Sequence, residues 1–223
     1  MNPTAMSDAG LAEIYDAAFF AEWGPSHEPY VRTAEVIADV LAAEFRPKRV
    51  ADIGCGCGVY AHAFARSGSE VFALDGVGPP PEHSFPVPIH VQDLTVPFEN
   101  AWGRFDLTLC LEVAEHIPEP RSEAFLDNIL RFSDTLLLSA APKGQGGRHH
   151  VNERPKRYWV GRLADHGFAY DRRSTGRVFD AVLARRPPYL WMVQHLSVYK
   201  RASDPAALRR TLPFSVRLRP ESA

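Results

Sequence analysis

Residues 50–58 run Val-Ala-Asp-Ile-Gly-Cys-Gly-Cys-Gly, which commits the chain to an apolar strand that passes directly into a turn built of glycine. Val50, Ala51 and Ile53 suit a strand buried on both faces of a parallel sheet. Gly54, Gly56 and Gly58 let the backbone turn sharply and approach a ligand that a Cβ atom would exclude. A dinucleotide fingerprint G-x-G-x-x-G needs glycine or alanine at position 59, which is Val59 here, and Asp52 would set a negative charge beside the pyrophosphate. An acid at that point suits a cationic ligand instead.

Strand and helix periods alternate downstream. The pattern predicts strands over 49–53, 70–75, 89–92, 105–111, 135–141, 168–170 and 196–200, with helices over 59–66, 121–132 and 156–166. Gly68 and Gly167 stand where the first and last of these helices stop. Such alternation specifies a parallel sheet covered by helices. Residues 8–45 hold two amphipathic helical stretches, 11–23 and 31–45, split by Gly24-Pro25-Ser26 and expected to cap the ligand end of the sheet. Their aromatic residues Tyr15, Phe19, Phe20, Trp23 and Tyr30 read as core by helical spacing, with a lid over the ligand as the alternative.

At 223 residues and 45% hydrophobic, the chain suits one domain with a full core, divided here into an N-terminal cap (1–45), a main domain (46–201) and a mobile tail (202–223). A net charge of −2 offers no basic field to gather nucleic acid. Cys55, Cys57 and Cys110 are too few and too closely spaced for a disulfide framework and are read as reduced apolar fillers. No apolar run approaches the roughly 20 residues of a membrane span and the start lacks a signal-peptide pattern, so a cytoplasmic location is expected.

Over 49–170 the chain resembles the class I S-adenosylmethionine-dependent methyltransferases through four motifs in order: VADIGCGCG, ALD ending the second strand, QDL after the third, and FDLTLCLEVAEHIP at the fourth. The resemblance implies a Rossmann-like, doubly wound α/β fold: a seven-stranded, mostly parallel sheet with an antiparallel last strand and ligands at the carboxyl ends of the strands. It further implies that Gly54, Gly56 and Gly58 line the methyl donor, that Asp52 helps hold its amino-acid end, and that Leu111 borders its methionine moiety. Asp75, 21 residues after Gly54, would accept from both ribose hydroxyls. Asp93 would accept from the adenine amine and Leu94 pack on its ring, a turn cap being the plainer reading of Asp93.

Methyl transfer from a sulfonium needs alignment and a deprotonated acceptor, so the open question is what removes the proton. One candidate is Glu112, Glu115 and His116, spaced to share a face of a nascent helix, with His150 completing a site for Mg²⁺, Mn²⁺ or Zn²⁺. That set is similar to the metal-assisted methyltransferases acting on small-RNA 3′ ends and ubiquinone precursors. The other is a histidine base in the 144–152 loop, His149 or His150, with His116 also among the catalytic candidates. His27, His62, His83, His90, His166 and His195 are read as structural or solvated. Tyr158, Trp159, Tyr189, Trp191 and the 172–188 segment are candidates for a pocket wall for a ring or sugar, with core packing an equal reading of Trp159. The resulting expectation is O-methylation of a small hydroxylated metabolite: a natural product, quinone precursor or sugar. An RNA-end methyltransferase and a donor-binding partner subunit without chemistry are the alternatives. Oligomeric state is left open, a homodimer included.

Overall fold

The computed structural model describes residues 8–204 and Leu208. Seven strands form one sheet: β1 (Arg49–Ile53), β2 (Glu70–Asp75), β3 (Ile89–Val91), β4 (Leu107–Leu111), β5 (Thr135–Ser139), β6 (Phe168–Tyr170) and β7 (Ser197–Arg201). Their spatial order is β3-β2-β1-β4-β5-β7-β6, and β7 alone runs against its neighbours. The order reverses between β1 and β4, so the crevice outside their carboxyl ends is where an open α/β sheet takes a ligand. This is the doubly wound, mostly parallel architecture the motifs imply.

Among the described residues these α-helices accompany the sheet: α1 (Asp8–Ile14), α2 (Ala17–Glu22), α3 (Glu28–Phe45), α4 (Val59–Arg66), α5 (Ser122–Ile129), α6 (Lys156–Asp165), α7 (Arg172–Ala184) and α8 (Trp191–Gln194). Alternation along the strands sorts them. Val50, Leu107, Leu109 and Leu137 face Ile37 and Leu41 of α3, Phe64 of α4 and Val178 and Val182 of α7. On the other face Ala51, Ile53, Leu136 and Leu138 meet Phe125 and Leu126 of α5 and Trp159 and Leu163 of α6. Every residue of β4 is buried, as a central strand covered on both faces requires.

Several boundaries differ from the sequence reading for local reasons. The 11–23 stretch breaks into α1 and α2 at Asp16, whose carboxylate accepts from Phe19 N–H at 2.9 Å and opens a new helix. Pro29 in the first turn lets α3 begin at Glu28. The helix expected over 121–132 is shorter, α5 following a 3-10 turn at Glu119–Arg121. Most of the 172–188 segment, read as a pocket wall, is α7; Asp171 caps it by accepting from Ser174 N–H at 3.0 Å. Trp159 is core. The three cysteines are free and buried. Among the described residues no helix is long and apolar enough to cross a membrane. The tail expected at 202–223 lies outside the described residues, apart from 202–204 and Leu208.

Candidate active site

The carboxyl ends of β1, β2 and β4 open into a cavity of about 820 Å³, flanked by α1, α2, α8 and the loop that follows β5. That volume lies toward the upper end of the roughly 300–1,000 Å³ typical of ligand pockets. The glycine turn forms its floor. A Cβ on Gly54, at φ +75°, would lie 2.4 Å from Val113, whereas one on Gly56 would meet no protein atom within 4 Å. Gly56 lines the cavity, so its missing side chain leaves room for a ligand rather than for the fold.

Gly56 N–H donates to Asp75 Oδ2 at 2.7 Å and Val77 N–H to Oδ1 at 3.1 Å, which fixes the acid at the tip of β2. Burial raises the Asp75 pKa and these amides pull it back. Asp52 is buried at the end of β1 and accepts from Ala61 N–H in the first turn of α4 at 3.1 Å. Burial, helped by the charge on Asp75, pushes its carboxyl up to about 7. Neither acid has a basic side chain as partner among the described residues. Leu94 and Leu111 are buried side chains of the same cavity. Asp93 also borders it, but its Oδ1 accepts from both Thr95 N–H and Thr95 Oγ1–H at 2.7 Å, the turn role named as its plainer reading.

The second group of candidates sits past β4. The run Glu112–His116 is no helix: Glu112 has a left-handed backbone, φ 55°, and Ala114–His116 is a single 3-10 turn. This turn aims Glu115 inward. Its carbonyl accepts from Val151 N–H at 3.0 Å and Asn152 N–H at 2.9 Å, which draws the later loop onto it. Glu115, His116 and His150 thereby offer ligand atoms that all lie within 4.8 Å of one another. Glu112, the fourth expected ligand, stays outside that group with Oε2 3.5 Å from Gln145 Nε2.

Glu115 is 0% exposed, and among the described residues neither carboxylate oxygen has a hydrogen-bond partner. Burial, then the charge on Glu112, raises its pKa well above the ordinary range. Burial lowers His116 to about 4, so this imidazole is neutral near pH 7, and its Nδ1–H donates to the His149 carbonyl at 3.2 Å. His150 Nδ1 lies 3.1 Å from Glu153 Oε1. His149 has a left-handed backbone, φ 59°, and its ring borders the cavity outside the cluster.

All five N-terminal aromatics line the cavity, and the core reading of their helical spacing also holds in part, since Phe20 is buried and Tyr30 packs against the core under α3. Tyr15 stands edge-on to His116 and His149, with ring centroids 5.8 and 6.1 Å away. Tyr189 and Trp191 close the far end, and His27, left as structural, holds Tyr189 Oη at 2.8 Å. Glu153 escaped the sequence reading; an acid three residues beyond a candidate ligand histidine was the available signal.

Residues 27–182 match the model of a family described as a methyltransferase domain. The ubiquinone biosynthesis O-methyltransferase of Pseudoalteromonas translucida is 33% identical over 110 residues, 45% of this chain and 46% of the relative. The Acinetobacter baylyi protein of that name is 27% identical over 157 residues, 63% of this chain and 62% of the relative. The chain thus spans about half the length of the curated relatives it matches. Among solved structures, the 1,6-didemethyltoxoflavin-N1-methyltransferase of Burkholderia thailandensis, with bound 1,6-didemethyltoxoflavin and S-adenosylhomocysteine, superposes at a TM-score of 0.58 with 16% identity, covering 91% of this chain and 94% of that one. Magnesium protoporphyrin IX methyltransferase from Synechocystis, with bound S-adenosylhomocysteine, gives 0.57 with 21% identity, covering 74% and 91%. At these identities the likeness is one of fold.

Proposed function

We infer, from the premise that this chain belongs to the methyltransferase-domain family, that it is an S-adenosylmethionine-dependent O-methyltransferase whose small acceptor presents two neighbouring oxygens. The donor set favours that cofactor. Asp52, Asp75, Glu112 and Glu115 border one cavity, which suits a ligand rich in hydrogen-bond donors and positive charge and disfavours a phosphate. Asp75 is the acceptor for the ribose hydroxyls and Asp52 for the ammonium end, while Gly56 leaves room for the chain between them. When bound, S-adenosylmethionine supplies the methyl group, displaced in line from its sulfonium. Oxygen as the acceptor is supported by the relatives named O-methyltransferases. One fold neighbour is named an N1-methyltransferase, so fold does not choose the atom.

The carrying observation is Glu115, a carboxyl group with no exposure whose two oxygens have no hydrogen-bond partner among the described residues, beside two imidazoles. A buried, unpaired acid is costly, and a cation is what offsets the cost. One carboxylate and two imidazoles fit Mn²⁺ or Zn²⁺, with Mg²⁺ the harder match. Glu115, His116 and His150 would hold such an ion, which would supply Lewis acidity to lower the pKa of the acceptor hydroxyl. His116 is a poor proton acceptor with its pKa near 4, and His150 has one ring nitrogen engaged by Glu153. His149, on the cavity wall outside the cluster, is the side chain left to receive the proton.

The test is a calorimetric titration of Mg²⁺, Mn²⁺ and Zn²⁺ into protein saturated with S-adenosylhomocysteine, for wild type and Glu115→Ala. Binding that the substitution abolishes, joined to faster methylation of a catechol than of a simple phenol, is the expected result. Wild type that takes up no metal would leave a histidine base and a single hydroxyl. Loss-free replacement of Glu115, His116, His149 and His150 together by Ala would point to a partner subunit without chemistry.

A further inference from the structure

We propose that Glu153 is a positioning residue for the metal cluster, holding His150 so that Nε2 is the ring nitrogen it offers to the cation. The inference rests on the metal-assisted reading above. Glu153 stands in the loop between β5 and α6, and its two oxygens are fully engaged. Oε1 accepts from Gly146 N–H at 2.6 Å and faces His150 Nδ1 at 3.1 Å, while Oε2 accepts from Gly144 N–H at 2.6 Å. Two backbone amides thus fix a carboxylate at one edge of the imidazole.

An ionised carboxylate only accepts, so the ring nitrogen facing it must carry the hydrogen. A neutral imidazole has one N–H and one lone pair, and the lone pair is then on Nε2. The same arrangement occurs at His116, where Nδ1–H donates to the His149 carbonyl and Nε2 is left over. Both cluster histidines therefore have Nδ1 turned to an oxygen of the 149–153 segment. Gly147 completes the device: a Cβ there would lie 2.3 Å from His150 Nε2, so the ring occupies space that only glycine leaves open. Metal-bound histidines are commonly oriented by such outer carboxylates and carbonyls, and losing one typically weakens metal binding about 10–100-fold.

The experiment pairs two readouts on the full chain. In the metal-free wild type, long-range ¹H–¹⁵N NMR of His150 is expected to show the Nδ1–H tautomer; the Nε2–H tautomer would overturn the proposal without recourse to any variant. In Glu153→Gln the tautomer is expected to become mixed, and Mn²⁺ or Zn²⁺ affinity, measured with S-adenosylhomocysteine bound, to fall about 10–100-fold. Glu153→Asp, which keeps the charge one methylene further back, is expected to lie between. A carboxylate that only staples the loop would disturb the Gly144 and Gly146 amides and leave tautomer and affinity unchanged, which would refute the proposal while the cluster stands. Wild type that binds no metal, or Glu115→Ala that binds as well as wild type, would instead bring down the cluster and the proposal together.

Discussion

Asp52 lies where the end of β1 meets the first turn of α4, and burial pushes its carboxyl from the ordinary 3.8 up to about 7. The folded chain therefore holds this proton more tightly than the unfolded chain, and ligand-free stability must fall as pH rises from about 4 through 7. The full effect is on the order of 4 kcal/mol. Asp52→Asn should flatten that slope, as urea unfolding at pH 5 and pH 8 would register. A cationic ligand reverses the sign, because its ammonium favours the ionised acid. Affinity for S-adenosylhomocysteine should drop as pH falls below about 7, by up to about tenfold per unit, and Asp52→Asn should remove the dependence. A wild-type affinity independent of pH between 5 and 8 would mean that the ammonium does not meet Asp52.

At the scale of elements, legibility tracks how local the determining signal is. The bounds of β1, β2, β6 and α4 follow from apolar runs closed by glycine or by an acid at the turn, all within the segment itself. Helix α7 was harder to see because Arg172, Arg173, Gly176, Arg177 and Asp180 interrupt a buried stripe that rests on Ser174, Thr175, Val178 and Val182. The catalytic candidates of the fourth strand were visible as a spacing, yet not their geometry. Nothing local in Glu112–His116 announces a left-handed Glu112, or that the Glu115 carbonyl takes its partners from Val151 and Asn152 in a distant loop. That loop carries its own prediction. Gly147 is exposed but has φ +159°, where a side chain is strained, and its Cβ would strike the His150 ring, so Gly147→Ala should lower the melting temperature modestly while displacing that ring. Metal affinity should fall by about tenfold or more. Calorimetry would decide, and an alanine tolerated at full affinity would mean that His150 can leave its observed place without consequence to the cluster.

Across the whole molecule the N-terminal segment divides by what it buries. The family match begins at residue 27, one residue ahead of α3. Ile37 and Leu41 of that helix are 0% exposed against the sheet, as integral to the core as Phe64 of α4. The 8–23 segment that carries α1 and α2 instead places Tyr15, Phe19, Phe20 and Trp23 at the cavity, with Tyr30 of α3 beside them, so we propose that the cap over the ligand is mainly that segment. Two truncations separate these roles. Starting at Ser26 should leave a chain that unfolds in one cooperative step at a modestly lower temperature and binds S-adenosylhomocysteine more weakly. Starting at Arg46 removes several fully buried aliphatic side chains, each worth about 2–5 kcal/mol, from a domain whose total stability is on the order of 5–15 kcal/mol. That chain should show no cooperative transition by circular dichroism. A Ser26 start that keeps full affinity would take the cap away from α1 and α2, and a folded Arg46 start would make α3 an appendage rather than a layer of the sheet's own core.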